Sequence, residues 1–114
     1  MDGCIFCKII NKEIPAKLLY EDESAVAFSD INPQAPCHVL IVPKRHIDKI
    51  SDLDKADDRL IGALILIAKN IAKEKGVESS GYRIVINCNK DAGQEVFHIH
   101  AHLLGGRKFA WPPG

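Results

Sequence analysis

His98-Ile99-His100-Ala101-His102-Leu103-Leu104 places three of the chain's five histidines at alternate positions in an otherwise apolar run. Alternation with period two is the pattern of a half-buried β-strand, so the three imidazoles share one face while Ile99, Ala101 and Leu103 enter the core. A strand rises about 3.3 Å per residue, which sets neighbouring histidines about 7 Å apart at Cα, near enough for adjacent rings to share one ligand. Three readings of the row compete. Solvent-facing strand positions favour Thr, Lys or Glu, and strand propensity does not call for repeated His, which weighs against a merely polar face. A metal site takes at most two of the three, because His98 and His102 are about 13 Å apart and each ligand nitrogen must lie about 2 Å from the ion. A phosphate site uses all three, one imidazole attacking phosphorus while its neighbours supply protons and charge.

The rest of the chain bounds these options. With 114 residues, 46% of them hydrophobic, residues 1–114 are expected to form a single domain with a modest core that dimerisation would help. Fifteen basic and fifteen acidic residues cancel, leaving no global field for a nucleic acid polymer or an anionic membrane. Met1-Asp2-Gly3-Cys4 lacks the basic and apolar regions of a leader, and no apolar run approaches a membrane span, so the expected location is the cytoplasm. Four cysteines are too few and scattered for a disulfide scaffold. Cys4-Ile5-Phe6-Cys7 stands out by its spacing. It reads as half of a zinc site, a redox dithiol or a coincidence, the redox option being weakened because no strand precedes it.

Local patterns give the remaining elements. Ile5, Phe6, Ile9 and Ile10 recur at helical spacing, predicting a short helix over 4–11 that Pro15 limits. Segments 17–21 and 25–29 predict a hairpin around Asp22-Glu23-Ser24, and two prolines make 30–36 a loop. A strand is expected over 37–42. One long helix is expected from Ser51 or Asp54 to about Lys75, with Leu60, Ile61, Leu64, Ile67, Ala68 and Ile71 as its apolar stripe. Asp52, Asp54, Asp57 and Asp58 at its start and Lys69, Lys73 and Lys75 at its end complement the helix dipole. Segment 82–87 predicts a strand, 89–94 a glycine-containing loop able to present backbone N–H groups to an anion, and 96–104 the histidine strand. The architecture is therefore α+β: about five strands, mostly antiparallel, packed on one long helix.

The chain resembles the histidine triad (HIT) superfamily, and within it the Hint branch. The triad run carries the resemblance, together with Ile5-Phe6-x-Lys8-Ile9-Ile10, Glu13-Ile14-Pro15-Ala16, Phe28-x-Asp30-Ile31-x-Pro33-Gln34-Ala35-Pro36, His38, Pro43-Lys44-x-His46-Ile47, Gly93-Gln94, Leu104-Gly105-Gly106-Arg107 and Trp111-Pro112-Pro113-Gly114. The resemblance implies a homodimer whose sheets join into one, and hydrolysis of purine nucleoside 5′-phosphoramidates, derivatives of AMP or GMP. It implies His100 as the nucleophile that forms a nucleotidyl-histidine, His102 as the group that contacts phosphate and protonates the amine, and His38 as their polar partner. One positive charge shared among these rings is expected to serve where other phosphoryl-transfer enzymes use a divalent metal, with turnover that survives EDTA.

By the same resemblance Phe6, Ile9, Phe28 and Ile31 enclose the base, Asp30 accepts from the ribose hydroxyls, and Asn87, Gly93 and Gln94 approach the phosphate. Core packing is the competing reading for each apolar member. Structural zinc is implied at Cys4, Cys7, His46 and His98, two thiolates and two imidazoles suiting a tetrahedral ion. Cys37 and Cys88 read as buried thiols. Glu95 departs from the pattern, standing where eukaryotic relatives commonly carry a serine that meets the phosphate or leaving group. Two other functions compete: a nucleotide-binding or interaction module with vestigial catalysis, and a dinucleoside-polyphosphate hydrolase, which the Trp-Pro-Pro-Gly tail disfavours.

Overall fold

A computed structural model describes residues 3–114; Met1 and Asp2, half of the segment read as lacking a leader, lie outside the described residues. Two helices and a sheet account for the architecture. Helix α1 (Ile5–Ile10) begins where the Cys4 sulfur accepts the Cys7 N–H at 3.4 Å, and it buries Phe6, Cys7 and Ile9. Strands β1 (Leu18–Glu21) and β2 (Ala25–Ser29) form the expected hairpin, closed by the Asp22 carboxylate, which accepts the backbone N–H groups of Ser24 at 2.7 Å and Ala25 at 2.9 Å. Strand β3 (Cys37–Pro43) is buried along its whole length. Helix α2 (Asp58–Glu74), β4 (Tyr82–Val85), a single turn α3 (Asn89–Ala92) and β5 (Ala101–Gly105) follow.

The five strands form one sheet in the order β1-β2-β3-β5-β4, every neighbouring pair antiparallel. Its two faces have different covers, as period-two alternation requires. Ala25, Ala27, Val39, Ile41, Ala101 and Leu103 meet Leu64, Ile67, Ala68, Ile71 and Ala72 of α2. On the opposite face Val26, Phe28, Leu40 and Val42 meet Phe6 and Ile9 of α1. The register sets His102 opposite Leu40 and His38 opposite Leu104, which brings His38 and His102 diagonally together on the α1 face. No described helix is long and apolar enough to cross a membrane.

Four boundaries differ from expectation. The long helix starts later: Leu53 is extended, and single 3-10 turns at Ile50–Asp52 and Lys55–Asp57 precede α2. The acidic cluster causes this by bonding locally, Asp54 accepting the Ala56 N–H at 2.9 Å and Asp57 the Asp54 N–H at 3.0 Å. Asp57 is also more than a dipole partner, since it is buried and paired with Arg45 at 2.7 Å. Segment 89–94 contains the turn α3, ended by Gly93 at a φ of 86°.

The histidine strand is shorter than the alternation suggests, because the ladder stops at Ile41↔Ala101. Two residues on, the same register would oppose Ile99 to Pro43, which has no N–H to donate; the Ile99 N–H bonds the Ile47 carbonyl at 2.7 Å instead. Strand β4 then ends at Val85, whose partner His102 lies next to the start of β5. Cys37 is buried as expected, whereas Cys88, just beyond that shortened strand, is half-buried with its sulfur 3.3 Å from the Ser51 hydroxyl.

Candidate active site and adjoining metal centre

Backbone groups fix one nitrogen each of His100 and His38, His38 in turn fixes one of His102, and the proton positions follow. His100 is 8% exposed, and its Nδ1–H donates to the His98 carbonyl at 2.8 Å, leaving Nε2 as a free lone pair. The Gln34 N–H donates to His38 Nδ1 at 3.0 Å, so His38 carries its proton on Nε2. That N–H donates to His102 Nδ1 at 2.9 Å, which leaves the His102 proton on Nε2. The His100 and His102 ring centroids are 4.9 Å apart. One imidazole thus offers a nucleophilic lone pair while its neighbour offers a proton.

Burial lowers the pKa of all three rings. His102 falls furthest, to about 4, because repulsion from His100 and His38 adds to burial and Asp30 only partly opposes it. In the free protein, burial thus favours the neutral form of all three rings near neutral pH.

The second cluster lies one residue pair back along the same run. Cys4 Sγ is 3.3 Å from His98 Nδ1, and Cys7 Sγ is 3.3 Å from His46 Nδ1 and 3.5 Å from His98 Nδ1. With metal–sulfur bonds of about 2.3 Å and metal–nitrogen bonds of about 2.05 Å, the sulfur–nitrogen edge of a tetrahedron is about 3.5 Å. The two imidazoles are also in the right tautomer. His98 Nε2–H donates to the Pro43 carbonyl at 2.7 Å and His46 Nε2–H to the Asp48 carboxylate at 2.6 Å, so both Nδ1 lone pairs face the sulfurs. The four residues are suited to a metal ion.

Asp30, His38 and His102 also gather within reach of one cation. They fail the same test, since His38 Nε2 holds a proton as long as Nδ1 accepts the Gln34 N–H.

The remaining expected residues divide into three groups. Phe6, Ile9 and Phe28 lie together in the core of the α1 face, the Phe6 ring edge-on to Phe28 at 5.7 Å and to His100 at 5.0 Å. Asp30 stands 3.4 Å from His38 Nε2, and the adjoining Ile31 is fully exposed. Asn87 is half-buried past the end of β4, and Gly93 is exposed. Gln94 is buried and fully engaged: its amide donates to the carbonyls of Asp48 at 2.7 Å and Val96 at 3.1 Å and accepts the Asn89 N–H at 2.9 Å. It braces the loop. Glu95 is exposed and lines an open cleft of about 460 Å³ with Gly3, Cys4, Ile5, His46, Val96 and Phe97.

Sequence reasoning passed over Gln34, Asp48 and the Pro43 carbonyl. The spacing His46-x-Asp48 is a signal that was available for the second, because metal-ligating histidines commonly donate to a carboxylate. Backbone donors and acceptors leave no trace in residue identity.

The HIT domain family matches residues 11–109. A 14 kDa zinc-binding protein of Zea mays is 54% identical over 113 residues, covering 96% of this chain and 87% of its own length. An uncharacterized HIT-like protein of Synechocystis is 50% identical over 113 residues, covering 99% and 98%. The crystal structure of a HIT family hydrolase from Legionella pneumophila superposes with a TM-score of 0.95 at 51% identity, covering 97% of this chain and 99% of its own.

Proposed function

The chain belongs to the HIT domain family, and from that premise we propose that it hydrolyses purine nucleoside 5′-phosphoramidates, releasing the nucleoside monophosphate and an amine. The observation that carries this reading is the tautomer lock on His100. Its Nδ1–H is held by the His98 carbonyl, so the in-plane lone pair of Nε2 is aimed away from the backbone and ready to attack phosphorus.

In this mechanism the phosphate's negative charge beside His102 raises the affinity of that ring for a second proton. His38 Nε2–H turns from His102 to Asp30, 3.4 Å away, which frees His102 Nδ1 to take the proton up. His100 Nε2 then bonds to phosphorus as the phosphorus–nitrogen bond breaks, and His102 Nε2–H protonates the departing amine. His102 now has its proton on Nδ1 and a lone pair on Nε2. It accepts a proton from water, which attacks the nucleotidyl-histidine and returns His100 to its starting state.

The base would rest against Phe6, Ile9, Phe28 and Ile31, and the ribose hydroxyls would donate to Asp30. Asn87 and Gly93 would approach the phosphate, with Gln94 holding their loop in place. Cys4, Cys7, His46 and His98 would hold a structural zinc ion, whose contribution is to tie α1 to the chain before β5. The chemical step itself is assigned to imidazoles alone. We further infer a single domain over 1–114 acting as a cytoplasmic homodimer through the β4 edge of the sheet, a reading supported by the exposure of Ile65 and Leu66 on α2.

One assay tests the reading: turnover of an adenosine phosphoramidate beside a diadenosine polyphosphate, with His100→Asn as the control. Faster turnover of the phosphoramidate, lost in the variant, is expected. Undiminished hydrolysis by His100→Asn would remove the mechanism, and preference for the polyphosphate would move the protein to the dinucleoside-polyphosphate hydrolases.

A further inference from the structure

We propose that Cys4 and Cys7 are a redox-modification site, at which a hydroperoxide joins the two sulfurs as a disulfide, empties the metal cluster and releases α1 from the catalytic face. The inference rests on the metal reading above. Three observations carry it.

The first is reach. Cys4 caps α1 and Cys7 lies one turn on, and both sulfurs belong to a donor set whose members all lie within 4.8 Å of one another. The extended N-cap Cys4 already has its sulfur over the turn that carries Cys7, accepting the Cys7 N–H at 3.4 Å, so side-chain rotation brings the two sulfurs together. The second is unequal access. Cys4 is half-buried and lines the open cleft of about 460 Å³, whereas Cys7 is 8% exposed behind it. An oxidant from solvent meets Cys4 first and Cys7 stands ready to resolve the product. Cys37 lies in the core under α2 and Cys88 beyond β4, away from this pair.

The chemistry is a two-electron oxidation with the hydroperoxide as acceptor. The Cys4 thiolate attacks the O–O bond, which breaks to give a Cys4 sulfenic acid and hydroxide, or an alkoxide from an alkyl peroxide. The Cys7 thiolate then attacks the sulfenic sulfur and expels a second hydroxide. Neither sulfur keeps a negative charge to offer a cation. The sulfurs also close from a tetrahedral edge of about 3.8 Å to a bond of about 2.05 Å, turning away from His46 and His98.

The third observation says why this matters to the active site. Phe6 sits between the two cysteines, and its ring is edge-on to His98 at 5.9 Å and to His100 at 5.0 Å. The thiol pair and the proposed nucleophile therefore share one aromatic side chain. Once the metal tie is gone, α1 is held against the sheet by apolar contacts only, those of Phe6 and Ile9 with the partly buried Ile10.

The test starts from protein reconstituted with one equivalent of zinc, verified by elemental analysis, and titrated with hydrogen peroxide. Expected are zinc release in proportion to the oxidant, a mass loss of two hydrogens mapped to a Cys4–Cys7 peptide, and recovery with dithiothreitol and zinc. AMP binding by calorimetry should weaken about tenfold in the oxidised form. Cys7→Ser should stop at a Cys4 sulfenic acid that dimedone traps. A protein that takes up no zinc overturns the metal reading and this proposal with it. Zinc uptake followed by oxidation elsewhere, by no disulfide at all, or by a disulfide that leaves the metal bound overturns this proposal alone.

Discussion

Mild acid should weaken the fold through His102, and the size of the effect follows from its surroundings. The ring titrates near 6.5 when solvated, and burial with repulsion from His100 and His38 brings it to about 4 in the folded chain. Between those values the unfolded chain binds a proton that the folded chain refuses, so stability rises with pH across the window. The contribution is complete above pH 6.5 and is lost as the pH falls toward 4. At about 1.4 kcal/mol per pH unit the window is worth about 3 kcal/mol, a ceiling because the ring is partly solvated.

The measurement is a difference: urea unfolding of wild type and His102→Asn from pH 7.5 to 4. Asn keeps an acceptor near His38 and removes the titrating ring. Acid loss of the metal cluster affects both proteins and largely cancels. Wild type should lose stability relative to the variant by about 2–3 kcal/mol between pH 6.5 and 4. Parallel curves would refute the claim that His102 is held neutral by its burial.

Two further outcomes follow from single residues. Glu95→Ser should lower kcat/KM for lysyl-type amines about two- to fivefold relative to neutral amines, the scale of an exposed charge contact; a rise confined to lysyl-type substrates would refute an attraction between Glu95 and a cationic leaving group. A Cβ at Gly105 would stand 2.9 Å from Val77 Cβ, so Gly105→Ala should cost about 1–3 kcal/mol and Val77→Ala in the same chain should recover most of it. Unchanged thermal stability in Gly105→Ala would show that the segment carrying Val77, just after α2, shifts freely.

What the sequence made legible is what alternation and punctuation encode. The hairpin around Asp22, the buried strand before Pro43 and the stripe of α2 are written in apolar spacing and turn formers, and the two histidine clusters followed from spacing plus family resemblance. Competition for backbone bonds was not legible. Asp54 and Asp57 match the start of a helix and equally match the local caps that delay it. His98 and His100 match a strand, but no residue pattern states that the partner strand runs out of N–H donors at Pro43. Gln94 has the amide of a phosphate ligand, and only the packed loop shows that amide to be fully engaged.

The early end of β5 is what makes the row chemically useful. Had the ladder continued to Val96, as alternation suggests, the carbonyls of Pro43 and His98 would have been candidates for sheet bonding. Released from it, the Pro43 carbonyl takes the His98 Nε2–H and the His98 carbonyl takes the His100 Nδ1–H. Each bond fixes a tautomer, and the two point their free lone pairs in different directions: His98 Nδ1 toward the thiols and His100 Nε2 toward the catalytic face. In the proposed mechanism, three histidines that are equivalent by spacing become a metal ligand, a nucleophile and a proton donor. The distinction between the first two comes from where a proline stops one strand, with the His98 main chain joining both roles in a single residue, while His102 takes its tautomer from His38.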